Sequence, residues 1–191
     1  PQGADSCTTH LTVADRDGMM VAMTTTLLSS MGSRLVLPRT GVLMNNGVMW
    51  FDPQPGTPNA IAPSKRPLCN MCPVIALDAE GAPMLAGGAS GGRRIMASVV
   101  QMLAYVLDFG MDPEAAAHLP RLDVSGPEGV TADARLGEAV IAALAADAPV
   151  EVVEHAVMPV NFACPNLILQ QGGTRVGITD VMSPWSAAVA E

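Results

Sequence analysis

Thr8, in the run Cys7-Thr8-Thr9-His10, and the glycine-rich run Gly87-Gly88-Ala89-Ser90-Gly91-Gly92-Arg93-Arg94 are the parts of this chain best suited to chemistry. A threonine hydroxyl is a poor nucleophile until a base takes its proton. Cleavage of the chain before Thr8 would free an α-amino group with a pKa of about 7.7 to 8.0, a base poised near neutrality, so one residue would supply both nucleophile and base. Backbone N–H groups of a glycine loop that opens a helix favour negative charge and suit the oxyanion formed when a carbonyl is attacked. Thr-Thr is also ordinary strand material. The neighbouring elements decide which reading gains weight.

Residues 9–15 and 19–26 are rich in Val, Thr and Met and flank Asp17-Gly18, the strongest short-range hairpin signal in the chain. Antiparallel pairing across that turn sets positions summing to about 35 opposite one another, which brings Thr8 close to the level of Thr26 or Leu27. From residue 31 to 65, nine glycines and prolines interrupt any long element: Gly32, Pro38, Gly41, Gly47, Pro53, Pro55, Gly56, Pro58 and Pro63. This stretch reads as a long ordered loop region, either a wall or lid over a site or a wall made for packing, and it carries Trp50 and Phe51 as exposed aromatics. Strands are expected at 74–78 and 83–87, joined at Glu80-Gly81 and followed by the glycine loop. Ile95, Met96, Val99, Met102, Leu103, Val106 and Leu107 then recur at helical spacing up to Gly110, placing Gly91 and Gly92 at a helix N-terminus. A nucleotide-binding P-loop would need Lys and then Ser or Thr after the last glycine, where this chain has Arg93-Arg94. Helices over 113–117, capped by Asp112, and over 136–146 are expected, with strands at 150–154, 166–170 and 174–178, the last two turning at Gly172-Gly173. Strands around a few helices give a layered α+β or α/β architecture.

With 191 residues the chain suits one domain, or one large part of an intimate two-chain assembly. A net charge of −8 with ten basic residues argues against a nucleic-acid partner. Four cysteines are too few for a disulfide scaffold, and Cys69-Asn70-Met71-Cys72 lacks the second pair of ligands that a structural zinc site requires. His118 and His155 stand isolated and read as structural, so no metal site is expected. No apolar run reaches the roughly 18 residues of a membrane-spanning helix. The chain opens on Pro1, not Met, and the compartment is left open, a lost targeting segment being compatible with it.

Several ordered motifs together make the chain resemble the small, catalytic subunit of the γ-glutamyltransferases, or γ-glutamyltranspeptidases, of the N-terminal nucleophile hydrolase superfamily. They are Thr8-Thr9-His10, the segment from Val13 to Gly18 ending in Asp-Arg-Asp-Gly, Gly41-Val42-Leu43-Met44-Asn45-Asn46 and Pro58-Asn59. Lys65-Arg66-Pro67-Leu68, Met71-Cys72-Pro73, the glycine loop and Asp108-Phe109-Gly110 complete the set. The resemblance implies an α+β fold, a four-layer αββα sandwich of which this chain supplies about half, and a precursor that cuts itself into a large and a small subunit. It implies that residues 1–7 end the preceding segment, that Cys7-Thr8 is the cleaved bond and that residues 8–191 are the catalytic region. Thr8 would then be the nucleophile, Thr26 its hydroxyl partner, and Gly91 and Gly92 the oxyanion donors. The implied activity is acyl transfer or hydrolysis on γ-glutamyl amides of the glutathione type, with water or an amine as acceptor, no cofactor, and the large subunit as obligatory partner.

The substrate-recognising positions depart from the family pattern. Leu28, Gly47 and Trp50 align where the family places an asparagine, a glutamine or glutamate, and an aspartate around the donor's α-amino group. Asp52 lies two positions further on and substitutes only if the loop shifts. Cys69 and Asn70 align with consecutive serines that hold the α-carboxylate, and Asn70 can still donate. A buried ammonium without an anionic partner is costly, so these replacements point to a glutaryl-type donor, as in the related cephalosporin acylases, unless other residues take over recognition. A different class of reading is an unprocessed, non-catalytic scaffold. The residues retained through Cys7 favour it, whereas the intact set of Thr8, Thr26, Gly91 and Gly92 counts against it.

Overall fold

A computed structural model describes residues 7–157 and 160–191, so residues 1–6 of the expected pre-cleavage segment lie outside it. In chain order the elements are β1 (Thr8–Ala14), β2 (Met20–Thr26), a 3-10 turn (Gly47–Trp50), β3 (Val74–Leu77), β4 (Pro83–Ser90) and α1 (Ile95–Leu103). There follow α2 (Pro113–His118), β5 (Leu122–Asp123), β6 (Val130–Asp133), α3 (Glu138–Ala145), β7 (Val150–Val153), β8 (Cys164–Gln171) and β9 (Thr174–Thr179). Two compact units result, one of residues 1–9 and 25–70 and one of residues 10–24 and 71–191.

β1 and β2 form the expected hairpin. Its turn is built by Asp15, whose Oδ1 accepts from the N–H groups of Asp17 and Met19 at 2.9 Å each, while Gly18 adopts a φ of +92° that a side chain would resist. In the second unit, β3, β4, β8 and β9 pair antiparallel in that order, and β5, β6 and β7 form a smaller mixed sheet in which β6 and β7 run parallel across the α3 crossover. The β8–β9 hairpin turns at Gly172-Gly173, both at positive φ, as the sequence predicts.

The glycine run is not a loop along its length. Gly87, Gly88, Ala89 and Ser90 continue β4 and pair with Leu167, Asn166, Pro165 and Cys164 of β8. The glycines are there for close approach: a Cβ on Gly87 would lie 2.9 Å from the Leu167 side chain, and one on Gly88 would lie 2.2 Å from the His10 ring. That ring is buried, its Nδ1 is 2.7 Å from Thr24 Oγ1, and burial lowers its pKa. Asn166 completes the seat of the hairpin, donating to the His10 carbonyl at 3.0 Å and accepting from Thr12 Oγ1 at 2.5 Å.

The long helix differs from expectation in detail. A 3-10 turn at Gly92–Arg94 leads into α1, which ends in a π turn at Ala104–Asp108 before Gly110. Ile95, Val99, Met102 and Val106 share one face and are buried against Leu85, Ala89, Ala163 and Leu167. Each large aliphatic side chain so buried contributes about 1.5–3 kcal/mol. α2 starts as expected, with Asp112 Oδ1 accepting from Glu114 and Ala115 N–H. α3 is shorter than the predicted 136–146 because Gly137, at φ +81°, separates it from the 3-10 turn Ala134–Leu136. β5 and β6 escape sequence reading because a two-residue strand and a four-residue strand carry too few positions for periodicity. No helix among the described residues is long and apolar enough to cross a membrane.

His155 is not isolated. It joins a charge cluster with the buried Arg121, Asp133 and Asp180 and with Arg135, whose side chain is 48% exposed. Arg121 is 1% exposed and bonds Asp180 Oδ2, the Ala163 carbonyl at 3.2 Å and the Ala117 carbonyl at 3.1 Å, so one guanidinium joins the end of α2, the approach to β8 and the end of β9. Arg135 Nη2 faces His155 Nδ1 at 3.2 Å, and since a guanidinium only donates, Nδ1 accepts and Nε2–H points at Asp180 Oδ2, 3.7 Å away. Burial would raise the Asp133 carboxyl, but the hydrogen bonds and charge of Arg135, with His155, hold it below its ordinary value. Burial pushes the His155 imidazole down; Asp180 opposes this, and Arg121 and Arg135 reinforce it.

Two outcomes follow from the cluster. Arg121→Met strands a buried carboxylate and should cost about 3–5 kcal/mol, read as a lower denaturation midpoint of the full-length protein, whereas adding Asp180→Leu should recover most of the loss. The folded state keeps His155 neutral while the unfolded chain protonates it near 6.5, so its contribution is complete above pH 6.5 and is lost as the pH falls through the depressed folded-state value. Thermal melts from about pH 7 to about pH 5 should therefore show falling stability, and His155→Gln should flatten that fall.

Candidate active site

Thr8 begins β1 and Thr26 ends β2, so hairpin pairing brings two hydroxyls to the same open end. Thr8 Oγ1 donates to Thr26 Oγ1 at 3.0 Å, and both residues are half-buried. Thr26 Oγ1 also accepts from the Leu28 N–H at 2.9 Å. Pairing continues one residue past the strand ends, with Leu27 N–H donating to the Cys7 carbonyl at 3.4 Å and Cys7 N–H to the Leu28 carbonyl at 3.5 Å. The facing pairs Thr8–Thr26, His10–Thr24 and Asp15–Met19 each sum to 34, one below the expected value of about 35.

Leu28 is backbone-strained, with a φ of +71°, and Met31 and Arg34 repeat the left-handed conformation at +62° and +60°. For a side chain without a local hydrogen-bonding group this costs about 1–2 kcal/mol and persists only where the surroundings over-determine it. Asn46 supplies that constraint. Its N–H donates to the Leu27 carbonyl at 3.1 Å, its Oδ1 accepts from Ser29 N–H at 3.1 Å, and its Nδ2 donates to Ser29 Oγ at 2.8 Å. Sequence reading gave Asn46 and Ser29 no role; the adjacent pair Asn45-Asn46 inside a glycine- and proline-broken stretch was the available signal.

The proposed recognition positions form a second group in the same unit. Gly47 is buried, its N–H bonds Asn45 Oδ1 at 2.8 Å, and a Cβ there would lie 3.0 and 3.1 Å from Cζ3 and Cε3 of Trp50. The indole thus fills the space that a side chain at position 47 would take. Trp50 and Phe51 are half-buried, not exposed as expected, because the 3-10 turn folds the indole back onto Gly47. Asn59 donates to the Trp50 carbonyl at 2.7 Å and accepts from Leu68 N–H at 3.0 Å, joining the turn to the segment that leads to exposed Cys69 and half-buried Asn70. Asp52 is committed to its own turn: its Oδ1 accepts from Gln54 N–H at 2.8 Å, and that bond, with Thr57, lowers its carboxyl pKa. It is engaged locally. All four cysteines are free thiols.

Gly91 and Gly92 belong to the second unit. Gly91 caps the 3-10 turn with a φ of +141°, and a Cβ on it would lie 2.6 Å from Ala163 Cα. Gly92, at φ +65°, opens onto free space. The two left-handed residues turn the chain from β4 into the first turn of a helix, where N–H groups have no intrahelical partner and the dipole favours an anion.

The Gamma-glutamyltranspeptidase family model matches residues 1–189. The glutathione hydrolase proenzyme of Bacillus subtilis (strain 168) is 43% identical over 115 residues, 60% of this chain and 19% of that protein. The acylase ACY 1 proenzyme of Pseudomonas sp. (strain SE83) is 38% identical over 124 residues, 65% of this chain and 22% of that protein. The chain thus spans about a fifth of the length of the curated relatives it matches. Among solved structures, γ-glutamyltranspeptidase from Pseudomonas nitroreducens complexed with L-DON superposes with a TM-score of 0.77 at 28% identity, covering 96% of this chain and 100% of that one. Cephalosporin acylase from Bacillus halodurans gives 0.79 at 25% identity, covering 94% of this chain and 34% of that one. With its α+β fold matching those structures and the family model running through almost all of its length, the chain belongs to the γ-glutamyltranspeptidase family.

Proposed function

We propose that this chain is the catalytic part of an N-terminal nucleophile amide hydrolase or acyltransferase acting on γ-glutamyl-type amides, with Thr8 as nucleophile. The observation that carries the reading is the 3.0 Å contact between the Thr8 and Thr26 hydroxyls at the end of the hairpin. The Cys7-Thr8 bond is cut first, dividing residues 1–7 from the catalytic region 8–191 and freeing the Thr8 amine. Thr8 Oγ1 then attacks the donor carbonyl, its proton passing to that amine, while the N–H groups of Gly91 and Gly92 hold the oxyanion. The amine returns the proton to the leaving amine as the C–N bond breaks, and water or an acceptor amine removes the acyl group by the reverse sequence. The large subunit of the same precursor completes a four-layer αββα sandwich, of which this chain is about half. The relatives named glutathione hydrolase proenzymes support the donor class.

One observation favours a second reading of the donor. Leu28 and the Gly47–Trp50 pair place apolar groups where the family resemblance calls for partners of an α-ammonium, and Asp52 is held in its own turn. A donor lacking the amine, such as a glutaryl amide, suits that lining, in keeping with the similarity to acylases. A tryptophan-to-aspartate variant of the Pseudomonas nitroreducens enzyme is described as highly active, an exchange of the residue types at issue here.

In the full-length protein, Thr8→Ala should remain a single chain by mass and release no anilide, and Thr26→Val should slow release about tenfold or more, the worth of one hydrogen bond of about 1.4 kcal/mol. Cleavage or turnover surviving Thr8→Ala would remove the nucleophile assignment. Matched kcat/KM values on γ-glutamyl and glutaryl anilides decide the donor: faster glutaryl release establishes the second reading, and faster γ-glutamyl release the first. Trp50→Asp should raise the γ-glutamyl-to-glutaryl ratio about tenfold or more by supplying a charged partner, and Gly47→Gln should be tolerated only in its presence.

A further inference from the structure

We infer that Arg94 is a positioning residue for the oxyanion site: its guanidinium holds the Gly91 carbonyl and so fixes the plane of the Gly91–Gly92 peptide, whose N–H is one of the two proposed donors. This rests on Thr8 as nucleophile and on Gly91 and Gly92 as the donors, and adds to them the side chain that aims one of the two.

A peptide group is planar, and in its trans form the carbonyl and the N–H of the following residue point in opposite directions from one rigid unit. Whatever grips the Gly91 oxygen therefore also sets the direction of the Gly92 N–H. The backbone offers little resistance of its own. Gly91 and Gly92 stand at φ +141° and +65°, and two successive residues without a Cβ leave the peptide between them free to turn. Ala163 closes one side of Gly91, where a Cβ would lie 2.6 Å from its Cα, but nothing lies within 4 Å of a Cβ on Gly92. Arg94 supplies the missing hold. Its Nε donates to the Gly91 carbonyl at 3.4 Å and its Nη1 donates to the Val160 carbonyl, so one rigid fork ties the turn to the segment that leads into β8.

The placement of this charge points to an anion. Arg94 is the N-cap of α1, the end of a helix where a cation has the wrong sign. It is half-buried, and among the described residues no carboxylate pairs with it; two carbonyls hold it there instead. A negative charge that develops beside Gly91 and Gly92 relieves this arrangement, whereas an uncharged substrate does not. The stabilisation therefore belongs to the transition state and acts on kcat more than on KM.

The test uses the full-length, self-processed protein with Arg94→Ala, which removes the fork, and Arg94→Lys, which keeps the charge without the fork. Three readouts are taken: kcat and KM on the better anilide, and the affinity of a boronic acid carrying the same acyl chain. Boron accepts an electron pair from Thr8 Oγ1 and becomes tetrahedral and anionic, so its binding reads the oxyanion site directly. Arg94→Ala should lower kcat about tenfold or more and weaken the boronate by a similar factor, with KM within about threefold of the parent. Arg94→Lys should also lose about tenfold in kcat, and methylguanidinium added to Arg94→Ala should restore part of the rate. Parental kcat in Arg94→Lys, or a fall in kcat with boronate affinity intact, overturns the inference. If Arg94→Ala fails to fold or to cut itself, the rate and boronate affinity of Arg94→Lys decide alone. Thr8→Ala separates the two levels: turnover surviving there removes the nucleophile and this inference with it, whereas turnover abolished there beside parental Arg94 variants removes the Arg94 role only.

Discussion

Everything at the head of this chain depends on how closely β1 can approach a strand that has given up its side chains. The His10 ring occupies the space above Gly88, where even a methyl group would collide at 2.2 Å, and the same ring meets Thr24 of β2 at 2.7 Å. Asn166, the residue paired with Gly88, reaches back to the His10 carbonyl and to Thr12. One histidine and one asparagine thus fix both strands of the hairpin against β4 and β8. Thr8 lies two residues along the same strand from His10. Packing of this density transmits small displacements instead of absorbing them.

The buried ions solve a different problem. β5, β6 and β7 form a small sheet of two- and four-residue strands, and no residue of α3 is fully buried. Arg121, Asp180, Asp133, Arg135 and His155 join the ends of these elements by direction-specific bonds. A buried pair of this kind adds little net stability over an apolar one, but it penalises any arrangement that leaves one partner behind. The specificity it imposes falls on the strand termini, where hydrophobic contact alone tolerates sliding.

Much of this was legible in the sequence, for physical reasons that differ from element to element. Asp17-Gly18 and Gly172-Gly173 fixed two hairpins because turn chemistry is local, and the sum rule then carried Thr8 to Thr26 with no tertiary information. The α1 face was readable because burial on one side writes a 3.6-residue period. Residues 88–90 fall outside the strand expected over 83–87 because Gly88 is small for the sake of His10, a residue distant in the chain. His155 looked isolated for the same reason, its partners lying on separate elements. Trp50 and Gly47 were seen as two separate departures, and only three dimensions show the ring of one filling the place of the other.

The backbone of Cys7 occupies the ladder positions next to Thr8, bonded to Leu27 N–H and the Leu28 carbonyl. The Cys7 carbonyl is thus already held by the turn into which Thr26 leads. Under the proposed cleavage before Thr8, the precursor would be its own first substrate, and withdrawal of that strand end would uncover the Leu27 N–H and the Leu28 carbonyl, one donor and one acceptor left in the shape of an amide.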